Sequence, residues 1–215
     1  MKHILFFGDS NTWGYNPLTE GRYPADTRYT GLLRTLLPAE KYEIIECGLN
    51  GRTTAYSDGY DGWSSGSEQL PIMLKTHDPL DLVVIMLGTN DLKSRLGLSV
   101  EDVVKGMRRL IYIVRSPGIW NLRGKPQVLV VSPMPLNGQT LQTSPFGEIF
   151  NAHSVQLSRR LGAAYEKLCA QDAIRCCCFD AGQLGAVTSS DGVHMSPSDH
   201  RRLADMLAHI IPSIL

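Results

Sequence analysis

Short apolar runs recur along the chain, each bounded by turn residues and separated from the next by an amphipathic stretch. His3–Phe7, Tyr42–Cys47, Leu82–Leu87, Val128–Ser132 and Ile174–Phe179 are nearly continuous in apolar character and short, the pattern of strands covered on both faces. Between them the spacing changes to three and four. Val103, Met107, Leu110, Ile111 and Val114 make one buried helical face, and Ser99 with Asp102 forms an N-terminal capping pair ahead of it. Leu157, Leu161, Ala164, Tyr165 and Leu168 make a second face, and Leu203, Met206, Leu207, Ile210 and Ile211 a third, started by Ser196-Pro197. Shorter helices are predicted around Gly31–Leu37 and Glu68–Thr76, and loops over Thr53–Gly66 and Pro133–Gly147.

Strand and helix alternate throughout, which predicts an α/β fold: a five-stranded parallel sheet with helices on both faces. With 215 residues and no repeat, linker or low-complexity segment, residues 1–215 read as one domain. Lys plus Arg and Asp plus Glu both number 21, so no basic excess points to nucleic acid. The run Ile4–Phe7 is too brief for a signal-peptide core, and no run has membrane-spanning length. Five cysteines without an export signal point to reduced thiols in the cytoplasm. Cys176, Cys177 and Cys178 are adjacent, and strand neighbours face opposite ways, so they read as small apolar residues of a buried strand rather than zinc ligands. No metal and no cofactor are expected.

In an open parallel sheet, ligands bind beyond the carboxyl ends of the strands. Four polar clusters fall there: Gly8-Asp9-Ser10-Asn11, Gly48-Leu49-Asn50-Gly51-Arg52, Gly88-Thr89-Asn90-Asp91 and Asp191-Gly192-Val193-His194. A serine hydroxyl needs a base to become a nucleophile, and His194 suits that role, with Asp191 three residues earlier to orient it. The Ser10 and Gly51 N–H groups and the Asn90 amide are candidate oxyanion donors. Asp9 reads as structural, bonding backbone amides around the Ser10 turn.

These four blocks, in this order from residue 6 to about residue 197, resemble the SGNH (GDSL-type) hydrolases, named for Ser, Gly, Asn and His. Gly-Asp-Ser-x-Thr-Trp-Gly, Gly-Leu-x-x-Arg-Thr-Thr and Met-Leu-Gly-Thr-Asn-Asp are most similar to the bacterial arylesterase and acyltransferase branch. The resemblance implies a flavodoxin-like three-layer α/β/α sandwich and hydrolysis of short-chain or aryl carboxylic esters through an acyl-enzyme on Ser10. It also implies acyl transfer to alcohols in some members, often a homo-oligomer, and pocket positions at Ile149, Phe150 and Val193. Of these, Ile149 and Phe150 read equally as core residues of a long helix, while Trp13 and Tyr15, just after Ser10, read as pocket walls rather than core aromatics. Asn11 departs from the family's leucine, Gly51 stands where the branch can carry alanine, and Tyr15 replaces a second tryptophan, which leaves acyl and alcohol preference open.

Rival readings start from the same residues. Gly62-Trp63-Ser64-Ser65-Gly66 has the Gly-x-Ser-x-Gly form of a nucleophile elbow, but a polar loop precedes it where that motif requires a strand. Arg52 and Lys93, beside the candidate oxyanion groups, read as solvated surface charges. A carbohydrate O-acetylesterase is the alternative within the family, favoured by a broad polar cleft over a narrow apolar channel. From another class, a flavodoxin-like module could cradle a cofactor phosphate on the turn after the first strand. That module leaves Asp191-x-x-His194 without a purpose.

Overall fold

The computed structural model describes residues 1–60, 62–116, 118–120 and 124–215. Five strands, β1 (Lys2–Gly8), β4 (Tyr42–Gly48), β5 (Leu82–Met86), β6 (Gln127–Ser132) and β7 (Cys177–Asp180), form one parallel sheet in the order β4-β1-β5-β6-β7. The short strands β2 (Tyr15–Asn16) and β3 (Gly21–Arg22) pair antiparallel outside it. The helices are α1 (Ser10–Trp13), α2 (Tyr29–Leu36), α3 (Gly66–Thr76), α4 (Val100–Val114), α5 (Gly138–Leu141), α6 (Ala152–Ser158), α7 (Leu161–Cys169) and α8 (Pro197–Ile214).

Successive strand residues feed opposite cores. Leu5, Phe7, Val83, Ile85, Val128 and Val130 pack with Leu70 and Leu74 of α3, with α4, and with Leu161, Tyr165 and Leu168 of α7. Ile4, Phe6, Leu82, Val84, Leu129 and Val131 pack with Tyr29 and Leu33 of α2 and with Leu203, Leu207 and Ile211 of α8. The period-two alternation of a strand thus builds three layers from apolar runs without gaps. The Ser99–Asp102 capping pair is present at α4, and at α8 the start at Ser196-Pro197 carries a capping pair of its own, Ser196 with Asp199.

The expectation of strands buried on both faces holds for β1, β5 and β6 and needs correction at the two edges. β4 is mostly half-buried, and the last strand starts at Cys177 because Arg175, at φ 30°, turns the chain after Ile174. Cys177 is exposed, with Cys176 and Cys178 half-buried, so the triplet lies on an edge rather than in a covered strand. The predicted helical face from Leu157 to Leu168 is divided between α6 and α7. Ser158 donates back to the Val155 carbonyl and accepts the Leu136 N–H, a bonding pattern that bends helices. Within Pro133–Gly147 the chain forms α5 and the start of a single 3-10 turn, Pro145–Glu148.

The strand order reverses direction between β1 and β5, and ligand crevices open at such points. Ser10 follows β1 there, and Asn90 follows β5.

Candidate active site

The chain leaves β1 through Asp9, whose carboxylate accepts the Asn11 N–H at 2.9 Å and caps α1. Ser10 is thereby the first residue of a helix, where a backbone N–H has no partner within the helix. A Cβ on Gly48, at the end of β4, would come within 2.1 Å of the Trp13 nitrogen, so α1 sits this close to the sheet only because that residue is glycine. Gly51 has φ 81°, in the left-handed region, and closes the turn that brings its own backbone to the rim of the Ser10 cleft.

Opposite Ser10, the loop from Ser189 to Met195 is folded around the Asp191 carboxylate. One of its oxygens accepts from Ser189 Oγ (2.8 Å) and from the Val193 and His194 N–H groups (both 2.9 Å). The other faces His194 Nδ1 at 2.6 Å, and His194 Nε2 lies 2.9 Å from Ser10 Oγ. Burial alone would raise the Asp191 carboxyl, but the bonds and charge of His194 overcome it and hold the group well below the usual carboxylate range. Asn11 ties the two sides together: its amide donates to the Val193 carbonyl (3.4 Å) and accepts the Met195 N–H (2.8 Å).

Asn90 lies on the third side. Its Nδ2 donates to the Arg52 carbonyl at 3.1 Å, which fixes the amide and leaves its second proton directed elsewhere. Arg52 itself is buried rather than solvated, a correction to the expected surface charge. Its guanidinium bonds the carbonyls of Gly8 and Cys47 and the Gln69 side chain, and stacks on Phe7 with 4.0 Å to the ring centroid. Burial lowers it to about 10, so it stays charged and pins the ends of β1 and β4 together. Lys93 is likewise buried, 2.7 Å from an Asp58 carboxylate that Arg95 also reaches at 2.6 Å. Those bonds, Arg95's first, hold Asp58 well below its ordinary value and anchor the 53–66 loop to the turn after Asn90.

A cleft of about 240 Å3 opens over Ser10 and His194. Tyr15, Ile149, Phe150 and Val193 line it as expected, together with Asn50, Lys93, Arg95 and Phe146, which sequence reasoning missed. The Tyr15 and Phe146 rings lie 4.3 and 5.2 Å from the His194 ring, measured between centroids. Trp13 lies outside this cleft. Gly14, at φ 88°, turns the chain so that Tyr15 faces His194, while Trp13 lines a neighbouring hollow with Leu49, Asn50, Gly51 and Trp63. Ser64 is a buried loop residue whose Oγ accepts the Asp58 N–H at 2.7 Å, and among the described residues no strand leads directly into it. Among the described residues no group of three or more His, Cys, Asp or Glu is placed to hold a metal ion, and no helix is long and apolar enough to cross a membrane.

The sequence model of the GDSL-like lipase/acylhydrolase family matches residues 6–202. The chain belongs to this family of carboxylic-ester hydrolases. Solved structures similar to this GDSL-family chain include the native aryl esterase of M. smegmatis, at 38% identity and TM-score 0.91 with 100% of both chains covered. A carbohydrate acetylesterase from Sinorhizobium meliloti is 35% identical, with TM-score 0.91 and 100% of both chains covered. A lipolytic protein of the G-D-S-L family from Veillonella parvula, at 17% identity and TM-score 0.70, covers 99% of each chain and shares the fold. No curated protein matches this chain in sequence.

Proposed function

We propose that this GDSL-family esterase works through an acyl-enzyme on Ser10, with short-chain or aryl esters as substrates. The observation that carries the reading is the unbroken line from Ser10 Oγ through His194 to Asp191, with links of 2.9 and 2.6 Å. His194 Nε2 takes the hydroxyl proton as Ser10 attacks the ester carbonyl, and Asp191 holds the imidazole in the tautomer that can accept it. The Ser10 and Gly51 N–H groups and Asn90 Nδ2 stabilise the oxyanion. His194 then returns the proton to the departing alkoxide, and water, activated by the same base, releases the acid. The small size and aromatic walls of the cleft support a short or aryl group next to the scissile bond.

A panel of p-nitrophenyl and phenyl esters of graded chain length tests this reading, with fluorophosphonate labelling. Ser10→Ala is expected to lose label and to lower kcat by roughly 10^4–10^6-fold. Turnover or labelling that persists in Ser10→Ala and vanishes in Ser64→Ala would move the nucleophile.

A second reading, deacetylation of a carbohydrate, is favoured by a neighbouring groove of about 1030 Å3 that shares Phe150 with the cleft and carries Asn137, Gln139, Gln142, Thr143, Ser144 and Glu148. The likeness to a carbohydrate acetylesterase supports it as well. A kcat/KM for acetylated xylan or acetylated glucose above that for phenyl acetate decides in its favour. A phosphate-cofactor module is not proposed, since Asp9 already occupies the α1 N-terminus with an acidic group. The family resemblance further supports acyl transfer to alcohols and a homo-oligomer, and the five free cysteines support a reducing, cytoplasmic setting.

A further inference from the structure

Away from Ser10, three soft donors converge between β4 and α3. Cys47 Sγ lies 3.9 Å from Met73 Sδ and 4.0 Å from His77 Nε2. Met73 and His77 are four residues apart, and the His77 N–H bonds the Met73 carbonyl, so helical geometry brings the thioether and the imidazole to one face. All three side chains belong to half-buried residues. Metal–sulfur and metal–nitrogen bonds of about 2.3 and 2.1 Å set 120° apart separate two sulfurs by about 4.0 Å and a sulfur from a nitrogen by about 3.8 Å. The two separations from Cys47 Sγ already have that size.

We propose that Cys47, Met73 and His77 form a binding site for a soft monovalent metal ion, Cu(I) by class. The donor set selects the metal: a thioether is a poor ligand for magnesium, calcium or zinc, whereas thiolate, thioether and imidazole together suit Cu(I). On binding, the Cys47 thiol proton passes to solvent, the sulfur–metal bond forms, and no electron changes hands because the ion arrives already reduced. The thiolate and the ion cancel in charge, so the site adds no net charge beside the Arg52 guanidinium, which bonds the Cys47 carbonyl.

Anaerobic titration with Cu(I) held by the chromophoric chelator bicinchoninate tests the assignment on the full chain. Wild type is expected to withdraw one equivalent that Cys47→Ser does not. Met73→Leu and His77→Gln, which keep all five cysteines, are expected to weaken that equivalent by at least about tenfold. Met73→Leu nearly conserves volume, and circular dichroism confirms that each variant is folded. Cys176→Ser and Cys178→Ser are expected to retain the equivalent. Curves for Met73→Leu and His77→Gln that superpose on wild type, or a wild type that withdraws no copper, overturn the proposal. So does loss of the equivalent in Cys176→Ser or Cys178→Ser, which would place the ion among the thiols near β7.

Discussion

Two aspartates flank the cleft, each buried and each next to a residue of the proposed machinery, yet their surroundings drive them in opposite directions. Asp191 receives Ser189 Oγ, two backbone N–H groups and the imidazole of His194, and its carboxyl is held well below the ordinary range. Asp91, beside Asn90, accepts from the Thr54 N–H and Thr54 Oγ1, both uncharged donors, and burial raises it to about 6 despite those bonds. Both sit in low dielectric, so the number and charge of the donors decides which one stays ionised. Asp191 is equipped to face an imidazolium. Asp91 is equipped to hold the Thr54 backbone under Asn90, and its charge is a burden.

The largest effect expected from this contrast follows from Asp191→Asn. The shape changes little, but an amide nitrogen now faces His194 Nδ1 and favours the wrong tautomer, so kcat on phenyl acetate is expected to fall by roughly 10^4-fold. A fall of less than tenfold would erase the distinction between the two aspartates.

Asn90→Ala sharpens the contrast within a single turn, because Asn90 points its amide at the cleft while its neighbour Asp91 points inward. Removing this proposed oxyanion donor is expected to lower kcat by about 10^2–10^3-fold, with KM and thermal stability close to wild type. A Tm loss as large as the loss of activity would instead assign Asn90 a holding role, through its bond to the Arg52 carbonyl.

The sequence makes one of these regions more legible than the other. Ser10 and Asn90 stand out because each follows a strand of one parallel sheet, and Asp191 and His194 because they lie in the connection between the last strand and the last helix, on the edge where those strands end. Their convergence therefore follows from topology alone. Arg52 and Lys93 are different. A lone basic residue after a strand ordinarily reaches water, and nothing local announces that Arg52 lies over Phe7 and bonds two strand-end carbonyls, or that Asp58, 35 residues before Lys93, is its partner. Asn11 could have been found: a polar residue in place of leucine, directly after Ser10, signals a bond made across the site, here to both sides of His194. The edge position of β7 and the break between α6 and α7 escape a periodicity argument because the apolar spacing runs on through both.

The smallest effect is a change of slope with pH, and it isolates the inward carboxylate. Asp91 titrates near 3.8 in a model peptide and at about 6 when buried in the fold. A raised carboxyl contributes its stability below its unfolded pKa and loses it as pH rises through its folded one, so this loss falls between about pH 4 and pH 6. Asp9, also raised to about 6 by burial, acts in the same direction, whereas His200, lowered to about 3 by burial, gains stability as pH rises. The difference between Asp91→Asn and wild type cancels the His200 contribution and leaves of Asp9 only its repulsion with Asp91, which acts in the same direction. Asn keeps an oxygen for Thr54 and carries no charge, so the variant is expected to gain stability relative to wild type between pH 4 and pH 6, by on the order of 3 kcal/mol, and to hold that gain above pH 6. Urea denaturation of both proteins across this range measures it, with kcat at neutral pH expected to stay within a few-fold of wild type. A stability difference that does not vary with pH means that the Asp91 carboxyl titrates as an ordinary one, and that Thr54 supplies as much stabilisation to its charge as His194 and its loop supply to Asp191.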